Sequence, residues 1–295
     1  SDKVADLLSH SLSENTERAY ASDLQHFTIW GGAIPASPPT ICGYIADHAG
    51  TLAVATIIRR IATLSKAHEA LGATNPCRSE VVRATLRGMK RKHGTAQAQA
   101  KPLLRDDLVH VIDQLGESLR DRRDRALLLM GFAGGFRRSE LVGLIVADIE
   151  TVRQGLVFTL RASKTDQERA GRKIGIPYGR TRFCPVTALE AWLNAASIKE
   201  GALFRPITRH GNVTQEALTG DAVSALLRGR VQAAGINPAG YSGHSLRAGF
   251  ATSAAQAGVS TLKIRAQTGH SSDVMLARYI RDGELFTGNA AGMML

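Results

Sequence analysis

"GLVFTLRASKTDQERAGRKIGIPYG", residues 155–179, is where the pattern of this chain changes. On both sides of it, apolar residues recur at spacings of three and four, the period of a helix with one buried face. Inside it, "GLVFTLRA" (155–162) and "RKIGIPYG" (172–179) read as strands, with the charged, small-residue stretch "SKTDQERAG" as the turn between them. "DIETV" (148–152) adds a third strand. One small antiparallel sheet therefore interrupts a helical chain. The fold class expected is mainly α, an all-helical N-terminal part followed by a mostly helical C-terminal part carrying that sheet.

Composition agrees. The hydrophobic fraction of 44% supports real cores, and aromatics at only 5% leave Ala, Leu, Ile and Val to build them, which favours helices. The 37 Lys and Arg outnumber the 26 Asp and Glu, and a net charge of +11 suits a polyanionic partner. A membrane surface suits it less, because no long basic amphipathic helix carries bulky apolar anchors. There is no apolar run of 18 residues and no charged-then-apolar leader, so neither a membrane span nor a signal peptide is expected. Cys42, Cys77 and Cys184 are widely separated and form no CxxC or Cys/His cluster, so no zinc site and a reducing, cytoplasmic location are expected.

"HGTAQAQAKP" (93–102) is small, polar and unpatterned, and divides the chain. The expected domains are 1–94, a linker at 95–102, and 103–295. In the first, "SENTERAYASDLQHFTIW" offers Ser13 or Asn15 as a cap and Tyr20, Leu24 and Phe27 as its inner face. A short helix follows Pro38 and Pro39. "TLAVATIIRRIATLSKAHEALG" places Ile57, Ile61, Leu64 and Leu71 on one stripe, and "SEVVRATLRGMKRKHG" has Ser79 as cap and Lys90, Arg91 and Lys92 in its last turn. In the second, "LRDDLVHVIDQLG" and "SLRDRRDRALLLMGFAGGFRRSELVGL" read as helices before the sheet, and four helical segments follow it.

Several short motifs could carry chemistry. In "GGFRRSELVGL" (134–144), Arg137 follows two glycines at a helix start or kink, and Glu140 lies one turn on along the same face. A carboxylate there can orient the guanidinium; the alternative is a surface ion pair worth well under ~1 kcal/mol. In "GHSLRAGFAT" (243–252), His244 and Arg247 share a face. A guanidinium offers a planar fork to two phosphate oxygens, and an imidazole beside it can donate or shuttle a proton. Ala248, Gly249 and Ala251 leave room for another element or a nucleic-acid backbone. The alternative is a buried, satisfied His beside a surface Arg. In "TGHSSDVMLARY" (268–279), Gly269 permits close approach of a ligand beside His270, and Ser271 or Ser272 starts a short helix ending near Tyr279. Lys164 stands at the hairpin tip, where a lysine is ordinarily solvated but can also insert a proton donor into a groove.

Taken together, "GGFRRSEL", the hairpin "SKT", "GHSLR", "TGH" and "ARYI" resemble the tyrosine recombinase (phage integrase) family in order, spacing and surrounding elements. The resemblance covers the C-terminal part from about residue 101, and the basic helical N-terminal part suits the family's SAM-like core-binding domain. "SGHSLR", "AGVS" and "RYIRD" look closest to the Cre-like members. Those carry tryptophan where this chain has His270, so here the chain follows the commoner integrase and Xer pattern.

The resemblance implies transesterification at a DNA phosphodiester. Tyr279 would attack phosphorus and form a 3′-phosphotyrosine link, and the 5′-hydroxyl of a partner strand would reseal it through a Holliday junction. The ester keeps the bond energy, so no cofactor and no metal is implied. Arg137, Arg247 and His270 would hold the non-bridging oxygens, His244 would take the tyrosine proton, Lys164 would protonate the leaving 5′-oxygen, and Glu140 would support the set. Tyr241 is a second nucleophile by chemistry alone, but it precedes "GHSLR" in motif order. The helices in 51–71 and 79–92 are implied to meet the major groove, giving Arg59, Arg60, Arg83, Arg87, Lys90 and Arg91 as DNA contacts, with Arg138 as a supporting or phosphate-contacting charge. The implied partner is a double-stranded site with inverted repeats, bound by a dimer per site and a tetramer on two duplexes. The tail "IRDGELFTGNAAGMML" would dock on a neighbouring subunit; the alternative is packing on its own domain. A type IB topoisomerase and a non-catalytic DNA-binding protein of the same fold are the competing functions.

Overall fold

The computed structural model describes residues 14–95, 99–161, 171–270, 272 and 276–277. Its contacts divide the chain into two units, Ser1–Ala98 and Gln99–Leu295. No helix among the described residues is long and apolar enough to cross a membrane.

The first unit is built from α1 (Glu14–Ile29), α2 (Pro38–His48), α3 (Val54–Ala70) and α4 (Glu80–His93). Ser37 caps α2 by accepting from the Thr40 N–H, and Pro38 and Pro39 occupy the first turn, where a missing N–H costs nothing. Phe27, Ile41, Tyr44, Ile45, Ile57, Ile61 and Leu64 form the core with Val82 and Met89. The expected stripe on α3 holds for Ile57, Ile61 and Leu64 and fails at Leu71, which is 65% exposed. Leu71 is the residue after the helix, so the helical period no longer aims it inward. Ser79 does precede α4, but its hydroxyl donates to the Pro76 carbonyl and does not cap the helix. Asn15 lies within α1, and Ser13 lies outside the described residues.

The second unit holds α5 (Arg105–Asp113), α6 (Leu119–Ala133), α7 (Arg138–Gly143), β1 (Ile149–Val152), β2 (Gly155–Leu160), β3 (Arg172–Pro177), α8 (Pro185–Ala195), α9 (Gly220–Ala233), α10 (Ser245–Gln256) and α11 (Thr261–Thr268). Residues Ala126 to Met130 of α6 are buried on every side, as a continuous apolar run requires. The helical stretch over 118–144 is two helices, broken at the two glycines of the expected helix start or kink. Gly134 and Gly135 end α6, and Gly135 adopts φ +55°, a left-handed turn that redirects the chain into α7.

The sheet is antiparallel in the order β1-β2-β3. Its inner row pairs Leu156 with Ile176, Phe158 with Ile174, and Leu160 with Arg172. The two-residue period thus puts one arginine on the face that carries the apolar side chains.

The segment before α5 is fixed to the second unit. Lys101 N–H donates to the Gly240 carbonyl and Leu103 N–H to the Ser245 carbonyl, 2.9 and 3.0 Å away. Gly249 faces this strap: a Cβ there would lie 1.7 Å from the Leu103 oxygen. The small residues of "AGFA" therefore admit the chain's own backbone, where the sequence reading left open a nucleic-acid strand. In an ordinary helix Gly→Ala gains up to ~1 kcal/mol. Gly249→Ala is expected to do the reverse, lowering stability by about 2–3 kcal/mol through overpacking, as read by chemical denaturation.

Candidate active site

The glycine pair at the end of α6 delivers Arg137 to the N-terminus of α7. Its own N–H donates to Glu140 Oε2 at 2.8 Å, and its Nη1 donates to Glu140 Oε1 at 2.6 Å. One carboxylate therefore closes the first turn of α7 and fixes the guanidinium. The Arg137 Nη2 donates to the Gly269 carbonyl, 132 residues away in sequence. The Glu140 side chain is 2% exposed, so this is no surface ion pair.

Arg172 completes the arrangement from the inner row of the sheet. Its Nη2 donates to Glu140 Oε2 at 3.2 Å and its Nη1 to the Gln267 carbonyl at 2.9 Å. Its guanidinium packs against Gly269, where a Cβ would lie 2.6 Å from Cζ. Gly269 ends α11 at φ +66° and ψ +40°. The glycine before His270 is thus required by the turn and by Arg172. Burial, and then the charge of Arg137, lower the pKa of Arg172, while Glu140 opposes that.

His244 stands at the start of α10, and Arg247 follows one turn on. Arg247 is 1% exposed, which overturns the alternative of a surface Arg. Its Nη1 donates to the Gly135 carbonyl at 2.9 Å and to the Thr268 carbonyl. Both arginines are thus anchored on the Thr268–Gly269 turn that presents His270. His270 is buried, with Nδ1 2.7 Å from Thr268 Oγ1. Burial, then Arg247, Arg137, His244 and Arg172 in turn, push its pKa down to about 3. Burial, then Arg247 and Arg137, lower that of His244.

The cluster gathers three guanidinium groups, two of them on the Glu140 carboxylate and the third on backbone carbonyls, with two imidazoles held neutral. Such a site attracts an anion, and a phosphodiester satisfies both its charge and its forked donors. Of the expected residues, Arg137, Glu140, His244, Arg247 and His270 come together here. Lys164 and Tyr279 lie outside the described residues, as do Ser271 and the C-terminal tail. Leu276, three residues before Tyr279, is helical and packs with Ala251, Ala255 and Ile264. Sequence reasoning missed Arg172, Gln267 and Thr268. The signal for Arg172 was present: it shares strand parity with Ile174 and Ile176.

The expected DNA contacts divide. Arg83, Arg87, Lys90 and Arg91 are exposed along one face of α4, with Arg87 paired to Glu80. Arg59 is 52% exposed but bonded to the buried carboxylate of Asp23, and Arg60 is only 12% exposed beside the same group. Arg60 also donates to the Tyr44 hydroxyl. Arg138 reaches Asp221 and Ser224 of α9, and its stem fills the space at Gly220 and Gly243. It braces the turn that leads into His244.

Residues 101–284 match the family model described as "Phage integrase family". An integrase/recombinase XerD homolog of Selenomonas ruminantium is 40% identical over 97% of this chain and 87% of its own length. The Cre recombinase of Escherichia phage P1 is 26% identical over 94% of this chain and 87% of its own. The Cre-like stretches noted in the sequence thus belong to a chain with more identity to the XerD homolog. Among solved structures, XerH bound to a palindromic difH substrate in a post-cleavage complex superposes with TM-score 0.69 and 17% identity, over 94% of this chain and 79% of that one. At that identity the superposition speaks for the fold.

The neutral His270 has a consequence for stability. Its folded pKa of about 3 lies below its ordinary 6.5, so the unfolded chain binds more protons between those values. Stability is full above about pH 6.5 and is lost as pH falls toward about 3. His270→Asn is expected to flatten this acid limb in denaturation curves recorded from neutral pH downward.

Proposed function

The chain belongs to the phage integrase family and is a site-specific tyrosine recombinase acting on DNA, and we propose that Tyr279 is its nucleophile. In this reading residues 103–295 form the catalytic domain, residues 1–94 a DNA-clamping domain, and residues 95–102 the link between them. The observation that carries it is the set of half-buried Arg137 and buried Arg247 and His270 on one turn, with Glu140 as its only carboxylate among the described residues.

The chemistry follows from charge. A tyrosine with a pKa of about 10 is only about one part in 10³ phenolate at pH 7, which costs ~4 kcal/mol. Attack of Tyr279 Oη on phosphorus forms a pentacoordinate phosphorane with extra negative charge on its non-bridging oxygens. Arg137 and Arg247 meet that charge with guanidinium groups already held in place by backbone carbonyls, so little reorganisation accompanies the reaction. His244 is neutral, in the protonation state that can accept the tyrosine proton. The bond from phosphorus to the 5′-oxygen then breaks, and Lys164 Nζ protonates that oxygen. The product is a 3′-phosphotyrosine ester, which the 5′-hydroxyl of another strand reverses. Glu140 and Arg172 act on this chemistry through Arg137.

Recognition of DNA rests on Lys and Arg contacts to phosphates, so binding falls steeply with salt. The basic face of α4, with Arg83, Arg87, Lys90 and Arg91, supports DNA contact better than Arg60 or Arg138, which are used within their own units. A duplex site with inverted repeats, a dimer on each site and a tetramer on two duplexes, joined through the C-terminal tail, complete the proposal. A cytoplasmic, nucleoid-associated location follows from the substrate.

Incubation with DNA, followed by sequencing of fragments trapped as covalent adducts, identifies the site. Tyr279→Phe is expected to give no adduct, and an adduct from that variant overturns the nucleophile. Lys164→Ala is expected to slow cleavage by about 10²–10⁴-fold. A substrate with sulfur in place of the 5′-bridging oxygen leaves without a proton, so it is expected to restore the rate. Lack of that rescue removes Lys164 as the acid.

A further inference from the structure

The catalytic reading leaves open how His270 presents itself to phosphate. A neutral imidazole carries one proton, on Nδ1 or on Nε2, and only the protonated nitrogen can donate. Thr268 decides between them. It is the last residue of α11 and is fully buried. Its Oγ1 lies 2.7 Å from the Ile264 carbonyl and 2.7 Å from His270 Nδ1. A carbonyl cannot donate, and two bare oxygens repel at that distance, so the single hydroxyl proton lies toward Ile264. The hydroxyl is then an acceptor on its other side, and the proton between Thr268 and His270 belongs to Nδ1.

We propose that Thr268 is a positioning residue that holds the His270 proton on Nδ1, so that Nε2 can donate to the scissile phosphate only after the ring has taken up a second proton. This rests on the assignment of His270 to the phosphate oxygens. Without DNA, second protonation is opposed first by burial, and then by Arg247 of α10, Arg137 at the start of α7, His244 before α10 and Arg172 of β3. Arg265 of α11 adds a donor to the His270 carbonyl, and Glu140 is engaged by Arg137 and Arg172. A bound phosphodiester offsets those cations. The ring then draws one proton from solvent onto Nε2, and its two N–H groups donate to Thr268 and to a phosphate oxygen. The positive charge of His270 thus appears when the anion arrives, and only then.

Two measurements test this. In the DNA-free protein, nitrogen-15 NMR of the histidine ring is expected to show the Nδ1–H form in native protein and in Thr268→Ser, and loss of that form in Thr268→Val. An Nε2–H ring in the native protein overturns the proposal, whatever the DNA reaction proves to be. The second is single-turnover cleavage of the trapped DNA site from about pH 6 to 9. Native protein and Thr268→Ser are expected to slow as pH rises and the second proton is lost. Thr268→Val frees a neutral ring to donate from Nε2. It is expected to be about tenfold slower near neutral pH, with the ratio shrinking toward one at high pH. A ratio that stays constant across the range marks a packing role and overturns the proposal. Cleavage by His270→Ala at the native rate removes His270 from the phosphate, and this proposal with it, while the NMR result still reports the tautomer separately.

Discussion

The Glu140 carboxylate, shared between Arg137 and Arg172, is the interaction on which the rest of the second unit depends. Burying an ion carries an effective penalty of several kcal/mol, and this site buries more guanidinium than carboxylate. The imbalance is tolerated because backbone carbonyls take up the donors. Arg137 reaches Gly269, Arg172 reaches Gln267, and Arg247 reaches Gly135 and Thr268. Peptide dipoles thus partly replace counter-ions. What they leave unneutralised is available to an anionic ligand.

That arrangement dictates the backbone around it. Two chain reversals must turn carbonyls inward at close quarters. Gly135 and Gly269 adopt positive φ to do so, and side chains at either would collide, with Thr268 and Arg172 respectively. Burial first, and the same positive field second, account for the two neutral histidines. The neutrality of both rings is a consequence of surplus positive charge in a dry place, while the nitrogen that carries the His270 proton is set by the Thr268 hydroxyl.

In the first unit a related device has a different outcome. Asp23 is buried on α1 and accepts from Arg59 and Thr63 of α3, with Arg60 beside it. This ties two helices together and uses arginines that sequence position alone offered as DNA contacts. Charge count cannot separate a cation that meets phosphate from one that meets an internal carboxylate. The exposed face of α4 is basic for the opposite reason: apart from Arg87 with Glu80, those side chains extend from a helix whose other face is the core.

By itself, the sequence determined what is local or ordered along the chain. Helical and strand periods, the pairing of Arg137 with Glu140 one turn apart, the shared face of His244 and Arg247, and the motif order that singles out Lys164 and Tyr279 all depend on spacing. Tertiary structure alone decided what depends on register and on turns far apart in sequence. Arg172 meets Glu140 because the β2–β3 pairing sets its parity and the Gly134–Gly135 break sets the position of α7. Arg247 is buried because carbonyls from residues 112 and 21 positions away converge on it. Gly249 is small because the chain's own strap passes over it. A local spacing fixes which neighbours on one helix can touch; it carries no information about which distant carbonyl will be turned toward a charge.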